Sequence, residues 1–195
     1  MSSQNITRRT LIGALAASTL AAPSVVRAQD LTPDVRTSDP DLRRNSSSFV
    51  TQRWQDHFEA LDRVTILADT GSRALHYWSK DGSDYRLYPT SVPMTEELTR
   101  RGYTEVVRKR VAPTWTPTAD MRERDPTLPA FMPAGPDNPL GTHALYLSWP
   151  AYLIHGTHDT RKIGRRSSSG CIGLYNEKIA ELFDLVPVGA QVRLI

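Results

Sequence analysis

Between residues 64 and 111 the chain is built from short apolar runs punctuated by Gly and Asp, and no other feature limits its fold so strongly. Runs at 64–68, 74–79 and 85–88 are separated by Asp69-Thr70-Gly71-Ser72 and Lys80-Asp81-Gly82-Ser83, which are turn sequences, so an antiparallel meander is predicted. A brief helical turn is expected over 93–101 and another strand over 103–111. Residues 144–147, 151–154 and 191–195 predict further strands, the last closing the sheet. This pattern predicts a mainly β domain, a sandwich or barrel-like sheet with a few short helices, and argues against a doubly wound α/β fold. One helix is expected after Asn176, which can cap it. Ile179, Leu182, Phe183 and Val186 make its apolar face, and Pro187 and Gly189 end it.

A chain of 195 residues suffices for one domain with a proper core. Residues 1–28 have the layout of an export signal: Arg8 and Arg9, an apolar run over 11–22, and Val26-Arg27-Ala28 as a small-x-Ala cleavage site. Thr7-Arg8-Arg9-Thr10-Leu11-Ile12 has the form of a twin-arginine signal, with an ordinary secretory signal as the alternative. The apolar run is too short to span a bilayer, so a periplasmic protein without a stable membrane span is expected. Residues 29–48, rich in Asp, Pro, Ser and Arg, predict a flexible leader. Phe49, Val50, Trp54, Phe58 and Leu61 fall at helical spacing and predict a short amphipathic helix over 49–61. The globular domain should then occupy 61–195.

The formal charge of +3 gives no support to a nucleic-acid partner, because Arg8, Arg9 and Arg27 of the signal account for all of it. Residues 112–140 hold half of the prolines. A loop of this length inside a compact domain is usually functional or disordered; Trp115, Met121, Phe131 and Met132 suggest one pinned to the body of the protein as a wall of the binding cleft, with a structural surface loop as the alternative.

Cys171 is the sole cysteine, so no internal disulfide forms even in an oxidising compartment. It lies in a Ser/Gly-rich segment instead of an apolar run, which favours chemistry over packing. A thiol nucleophile needs a proton acceptor, and His155 is the candidate, at the end of a predicted strand and joined to Cys171 by a polar loop. His155-x-x-His158 with Cys171 also offers three zinc ligands, but no second cysteine or carboxylate stands at a ligand spacing, and no metal is expected. Arg161, Lys162, Arg165 and Arg166 form a basic cluster within the same loop, either a solvated surface or an anion-recognition site.

His155-Gly156-Thr157, Ile163-Gly164 and Ser168-Ser169-Gly170-Cys171-Ile172 resemble the motif of the L,D-transpeptidases with a YkuD-like catalytic domain. Trp115-Thr116-Pro117 and Asn138-Pro139-Leu140-Gly141 also match family positions, so the resemblance covers about 61–195. It implies an L,D-transpeptidase-like sheet with a helix after the catalytic cysteine. It also implies a cofactor-free acyl transfer on peptidoglycan stem peptides, with Cys171 attacking the third stem residue, His155 moving the proton and D-alanine leaving. By the same resemblance the Gly156 carbonyl orients His155, Gly170 and Cys171 supply oxyanion donors, and Ser168 and Ser169 support the turn. The acceptor is then an amine of a second stem or of a protein, or water in an L,D-carboxypeptidase using the same residues. A wall-binding protein with an incidental thiol is the non-enzymatic alternative. Many members carry Arg two residues after the cysteine where this chain has Gly173, which leaves Arg161, Arg165 and Arg166 as candidate substrate anchors.

Overall fold

The computed structural model describes residues 50–195; the expected export signal, the leader over 29–48 and Phe49 lie outside the described residues. Ten strands and two α-helices follow in the order β1 (Thr65–Asp69), β2 (Ala74–Trp78), β3 (Tyr85–Pro89), β4 (Val92–Pro93), β5 (Gly102–Val111), α1 (Ala119–Arg124), β6 (His143–Leu147), β7 (Leu153–His155), β8 (Arg166–Ser168), β9 (Ile172–Gly173), α2 (Asn176–Leu185) and β10 (Gln191–Leu194). Eight of the strands make one mainly antiparallel sheet ordered β3-β2-β1-β10-β5-β6-β7-β9, in which only β1–β10 and β7–β9 pair in parallel. The predicted meander is present as β1–β2–β3. The C-terminal strand does close the sheet, but from its middle, between β1 and β5.

Period-two alternation sorts the strand residues between two faces. Ile66, Ala68, Leu75, Tyr77, Leu145, Ile154, Ile172, Val192 and Leu194 join Ile179 and Leu182 of α2 in the main core. At about 1.5–3 kcal/mol per fully buried large aliphatic side chain, this cluster supplies most of the driving force for folding. Glu181 fastens α2 to β3 by accepting hydrogen bonds from Arg86 and Tyr88. On the opposite face Leu67 and Trp78 pack with Phe58, Trp54 and Leu61. All residues of β1 and β2 are therefore buried.

Three local expectations are corrected. The stretch preceding β1 forms only a 3-10 turn, Trp54–Asp56. Continuing it as an α-helix would need the His57 carbonyl for the amide of Leu61, but that oxygen accepts from Tyr103 Oη at 2.7 Å and Arg193 Nη1 at 2.8 Å. Residues 94–101 form turns without a helix, where Tyr152 Oη accepts from the Arg100 amide and donates to the Leu98 carbonyl. Asn176 is the first residue of α2, not its cap. Its Oδ1 accepts the Thr142 amide at 3.1 Å, and Tyr175 takes the cap position without a side-chain bond.

The proline-rich loop folds on itself. Thr118 caps α1 by accepting the Met121 amide, and Trp115 and Met132 exchange backbone hydrogen bonds at 2.8 and 2.9 Å. Buried Asn138 donates to the carbonyls of Pro113 and Pro133 and accepts from the Leu140 amide. No helix among the described residues is long and apolar enough to cross a membrane.

Candidate active site

The site is built on the face of β6 and β7 turned away from the main core. Ile154 points into that core, so its neighbours Leu153 and His155 point the other way. The parallel partner β9 registers Ile172 on Ile154 and Gly173 on His155. Cys171 therefore falls on the same face as Leu153, and the two pack with Leu140 and Ala144. His155 and Cys171, 16 positions apart in the sequence, come to line one cavity of about 120 Å³ with Ser91, Thr157, Lys162 and Ser167–Ser169. A second cleft, of about 450 Å³, also reaches Cys171 and is lined by Arg108, Arg110, Tyr146, Ala151 and Leu153, none of which lines the first. Trp115, Met121 and Leu140 border both spaces, so the proline-rich loop is the expected wall.

The orientation of His155 is fixed by its neighbour. Its Nδ1 lies 2.5 Å from the Gly156 carbonyl oxygen, which can only accept, so Nδ1 carries the proton and Nε2 is left as the basic nitrogen. Burial pushes the imidazole down to about 4, the hydrogen bond to Gly156 opposing the shift in part. Burial likewise pushes the Cys171 thiol up to about 11, with the Leu153 amide hydrogen bond acting in the opposite sense. The resting pair at neutral pH is thus thiol and neutral imidazole. The thiol donates to the Ala151 carbonyl at 3.5 Å. Ala151 itself adopts φ 58, a left-handed conformation costing roughly 1–2 kcal/mol in a non-glycine residue, in the turn that presents that carbonyl.

The segment before the cysteine is held by Ser168, whose Oγ donates to the Cys171 carbonyl at 2.6 Å and accepts the Gly170 amide at 3.3 Å. Gly170 has φ +134, which only glycine adopts without strain. The Cys171 amide has no acceptor among the described residues. Gly156 packs tightly, since a Cβ there would lie 2.2 Å from Asn176 Oδ1. At Gly173 a Cβ would lie 2.3 Å from Ser91 Oγ and 4.0 Å from His155 Cε1. Ser91 and Gly173 also exchange backbone hydrogen bonds at 2.8 and 3.1 Å. Any side chain at 173, arginine included, requires the Ser91 hydroxyl to move.

Of the basic loop residues only Lys162 lines a cavity at Cys171; the three arginines do not. Arg161 and Arg165 line a separate hollow with Asp159, Lys162 and Ser167, and Arg161 pairs with Asp159 at 2.8 Å. Arg166 is exposed and pairs with Glu96 at 2.9 Å. His158 is exposed and lines neither cavity at Cys171. Sequence reasoning did not find Ser91, Arg108, Arg110 or Ala151. Arg108 and Arg110 lie in β5, whose alternation is interrupted between Val106 and Arg108, whereas Ser91 and Ala151 lie outside the long strands, and the pairing that brings all four to the site is not written locally.

The family model for the YkuD L,D-transpeptidase catalytic domain matches residues 63–194. A Fuscovulum blasticum protein named for the L,D-transpeptidases and the ATP synthase subunits region is 56% identical over 184 residues, 94% of this chain and 93% of that protein. Escherichia coli ErfK/SrfK, whose name also assigns it to the L,D-transpeptidases, is 43% identical over 138 residues, 68% of this chain but only 44% of the longer relative. Among solved structures, an L,D-transpeptidase from Mycobacterium smegmatis superposes with TM-score 0.54 at 20% identity, covering 68% of this chain and 58% of that one. The mycobacterial structure bears out the mainly β fold, and the sequence matches carry the family assignment. The chain belongs to the YkuD family of L,D-transpeptidase catalytic domains.

Proposed function

We propose that this protein is a periplasmic peptidoglycan L,D-transpeptidase that works through a Cys171 thioester. The observation that carries the reading is the shared cavity of His155 and Cys171, with Nδ1 tied to Gly156 and Nε2 left basic. In the first half-reaction the thiol leaves the Ala151 carbonyl and gives its proton to His155 Nε2 as Sγ attacks the carbonyl carbon of the third stem residue. The carbon–nitrogen bond to D-alanine breaks, Nε2 returns the proton to the departing amine, and a thioester remains. An acceptor amine then gives a proton to Nε2 while attacking the thioester. The carbon–sulfur bond breaks and the proton returns to sulfur, closing the cycle.

The Cys171 amide, with no acceptor among the described residues, is the first donor to the tetrahedral oxyanion, and Gly170 is the second once its long bond to Ser168 yields. One such donor is worth roughly 3 kcal/mol. Arg161, Arg165 and Arg166 at the rim attract the anionic polymer by long-range steering. Signal features over 1–28 support export by the twin-arginine route, after which 61–195 acts as the catalytic domain.

The test is incubation of the protein with purified disaccharide-tetrapeptides, read by mass spectrometry. Dimers that have lost D-alanine are expected. Tripeptides alone would reassign it as an L,D-carboxypeptidase with water as acceptor, and unchanged tetrapeptide would defeat the reading. Adding a protein amine to the same reaction asks whether a second acceptor is used, the sign being a mass increase on that protein.

A further inference from the structure

Strand β5 contains an irregularity that decides what faces the nucleophile. Val106 pairs with Leu147, and Arg108 pairs with Tyr146, so two steps along β5 match one step along β6. Val107 is the extra residue of a β-bulge and is exposed. In an uninterrupted strand, Arg108 and Arg110 would share the face of Val106, which is buried in the main core. Beyond the bulge the sense reverses. Lys109 now lies over Phe183 on the α2 side, and Arg108 and Arg110 stand with Tyr146 and Ala144 on the face that carries Cys171.

Both arginines line the cleft of about 450 Å³ that ends at Cys171. Arg108 is laid over the Tyr146 ring at 3.5 Å, which holds its planar fork in place while leaving its N–H groups available. Neither arginine has a carboxylate partner among the described residues, and no acidic side chain lines the cleft. Thr114, Thr116 and Thr118 add hydroxyl groups to the same wall. The fittest occupant is a peptide bearing free carboxylates.

The chemistry of the cycle assigns which peptide. The departing amine and the incoming amine both exchange a proton with His155, so both use the cavity that His155 lines. The acyl chain retained on sulfur must extend the other way, into the cleft with the arginines. Resting on the transpeptidase reading above, we propose that the β5 bulge builds a carboxylate-binding subsite, Arg108 and Arg110, for the retained acyl half of the donor peptide.

The test uses the full chain carrying Cys171→Ala, in which no turnover occurs, and calorimetric binding of two probes. One is a disaccharide-tetrapeptide; the other is the same compound with every carboxylate except that of the terminal D-alanine amidated. Adding Arg108→Gln and Arg110→Gln together is expected to weaken the acidic peptide about tenfold or more and to leave the amidated one within about twofold. Arg108 also packs on Tyr146, so the single Arg110→Gln, which gives up no ring contact, must reproduce part of the loss. Equal affinity before and after substitution, a parallel loss for both peptides, or no binding of the acidic peptide by the parent chain would each overturn the subsite. Failure of the chain with Cys171 intact to process the tetrapeptide would instead defeat the transpeptidase reading, while the affinity ratio would still decide the subsite.

Discussion

The two ends of the sheet each bury a histidine, and the two imidazoles are both pushed down to about 4 by desolvation. At the β1–β3 end, His76 stacks against Trp78 and Tyr85, its Nδ1 bonds Tyr85 Oη at 2.8 Å, and its buried Nε2 has no partner among the described residues. At the β6–β9 end, His155 has its Nδ1 tied to a backbone carbonyl and its ring on a cavity shared with the thiol. Equal depression of basicity therefore does not distinguish a core residue from the proposed proton carrier. Nδ1 is held in both, so the difference lies in whether space for a reactant adjoins the ring.

Substitution of the two histidines gives the largest contrast. His155→Gln should lower kcat/KM for acyl transfer about 1000-fold, within the range for losing a general base, whereas His76→Gln should leave it within about threefold. A comparable loss for His76→Gln would erase the distinction between the two ends.

Acid should affect both ends together through stability. Each folded-state value lies below the ordinary 6.5, so the unfolded chain takes up protons first as pH falls. Stability is fully present above about pH 6.5 and declines until pH passes about 4. For His155 the drop is worth roughly 3 kcal/mol. Denaturant melts across this range should show the decline, with a shallower slope in His155→Gln. Cys171 works in the opposite direction: its raised value means stability is lost as pH rises from about 9 through about 11. The same pair predicts that Cys171 acylation keeps its rate down to near pH 4 instead of falling around 6.5.

A smaller effect isolates the packing beneath His155. Gly173→Ala should cost about 1–3 kcal/mol, read as a lower melting temperature and slower acylation, because its methyl collides with Ser91 Oγ. Ser91→Ala in the same chain removes the oxygen and should restore most of both. Additive losses would contradict the proposed contact. The smallest effect belongs to the rim. Replacing Arg165 and Arg166 together by Ala should reduce kcat/KM about twofold at low salt and by nothing measurable at high salt, as expected for screened steering.

Much of this was legible in the sequence. β1, β2, β3, β5, β6 and β10 are long enough for alternation between turn residues to mark them, and Ser168-x-Gly170-Cys171 with His155-Gly156 marks the proposed reactive pair. β4, β8 and β9 span only two or three residues each, too few to carry a period. α1 is hidden among prolines, and the helix expected over 49–61 is prevented by Tyr103 and Arg193, which are remote in sequence. Ser91, Arg108 and Arg110 escaped for the same reason. The first reaches His155 through the bridge to Gly173, and the arginines reach the cleft through a bulge that reverses the strand's own alternation.

The most direct measurement is intact-protein mass spectrometry of an acid-quenched reaction with disaccharide-tetrapeptide, followed by peptide mapping. An adduct equal to the donor less D-alanine is expected, located on Cys171, absent in Cys171→Ser and strongly reduced in His155→Gln. Transfer products formed without that adduct, or an adduct located on another residue, would contradict the Cys171 thioester.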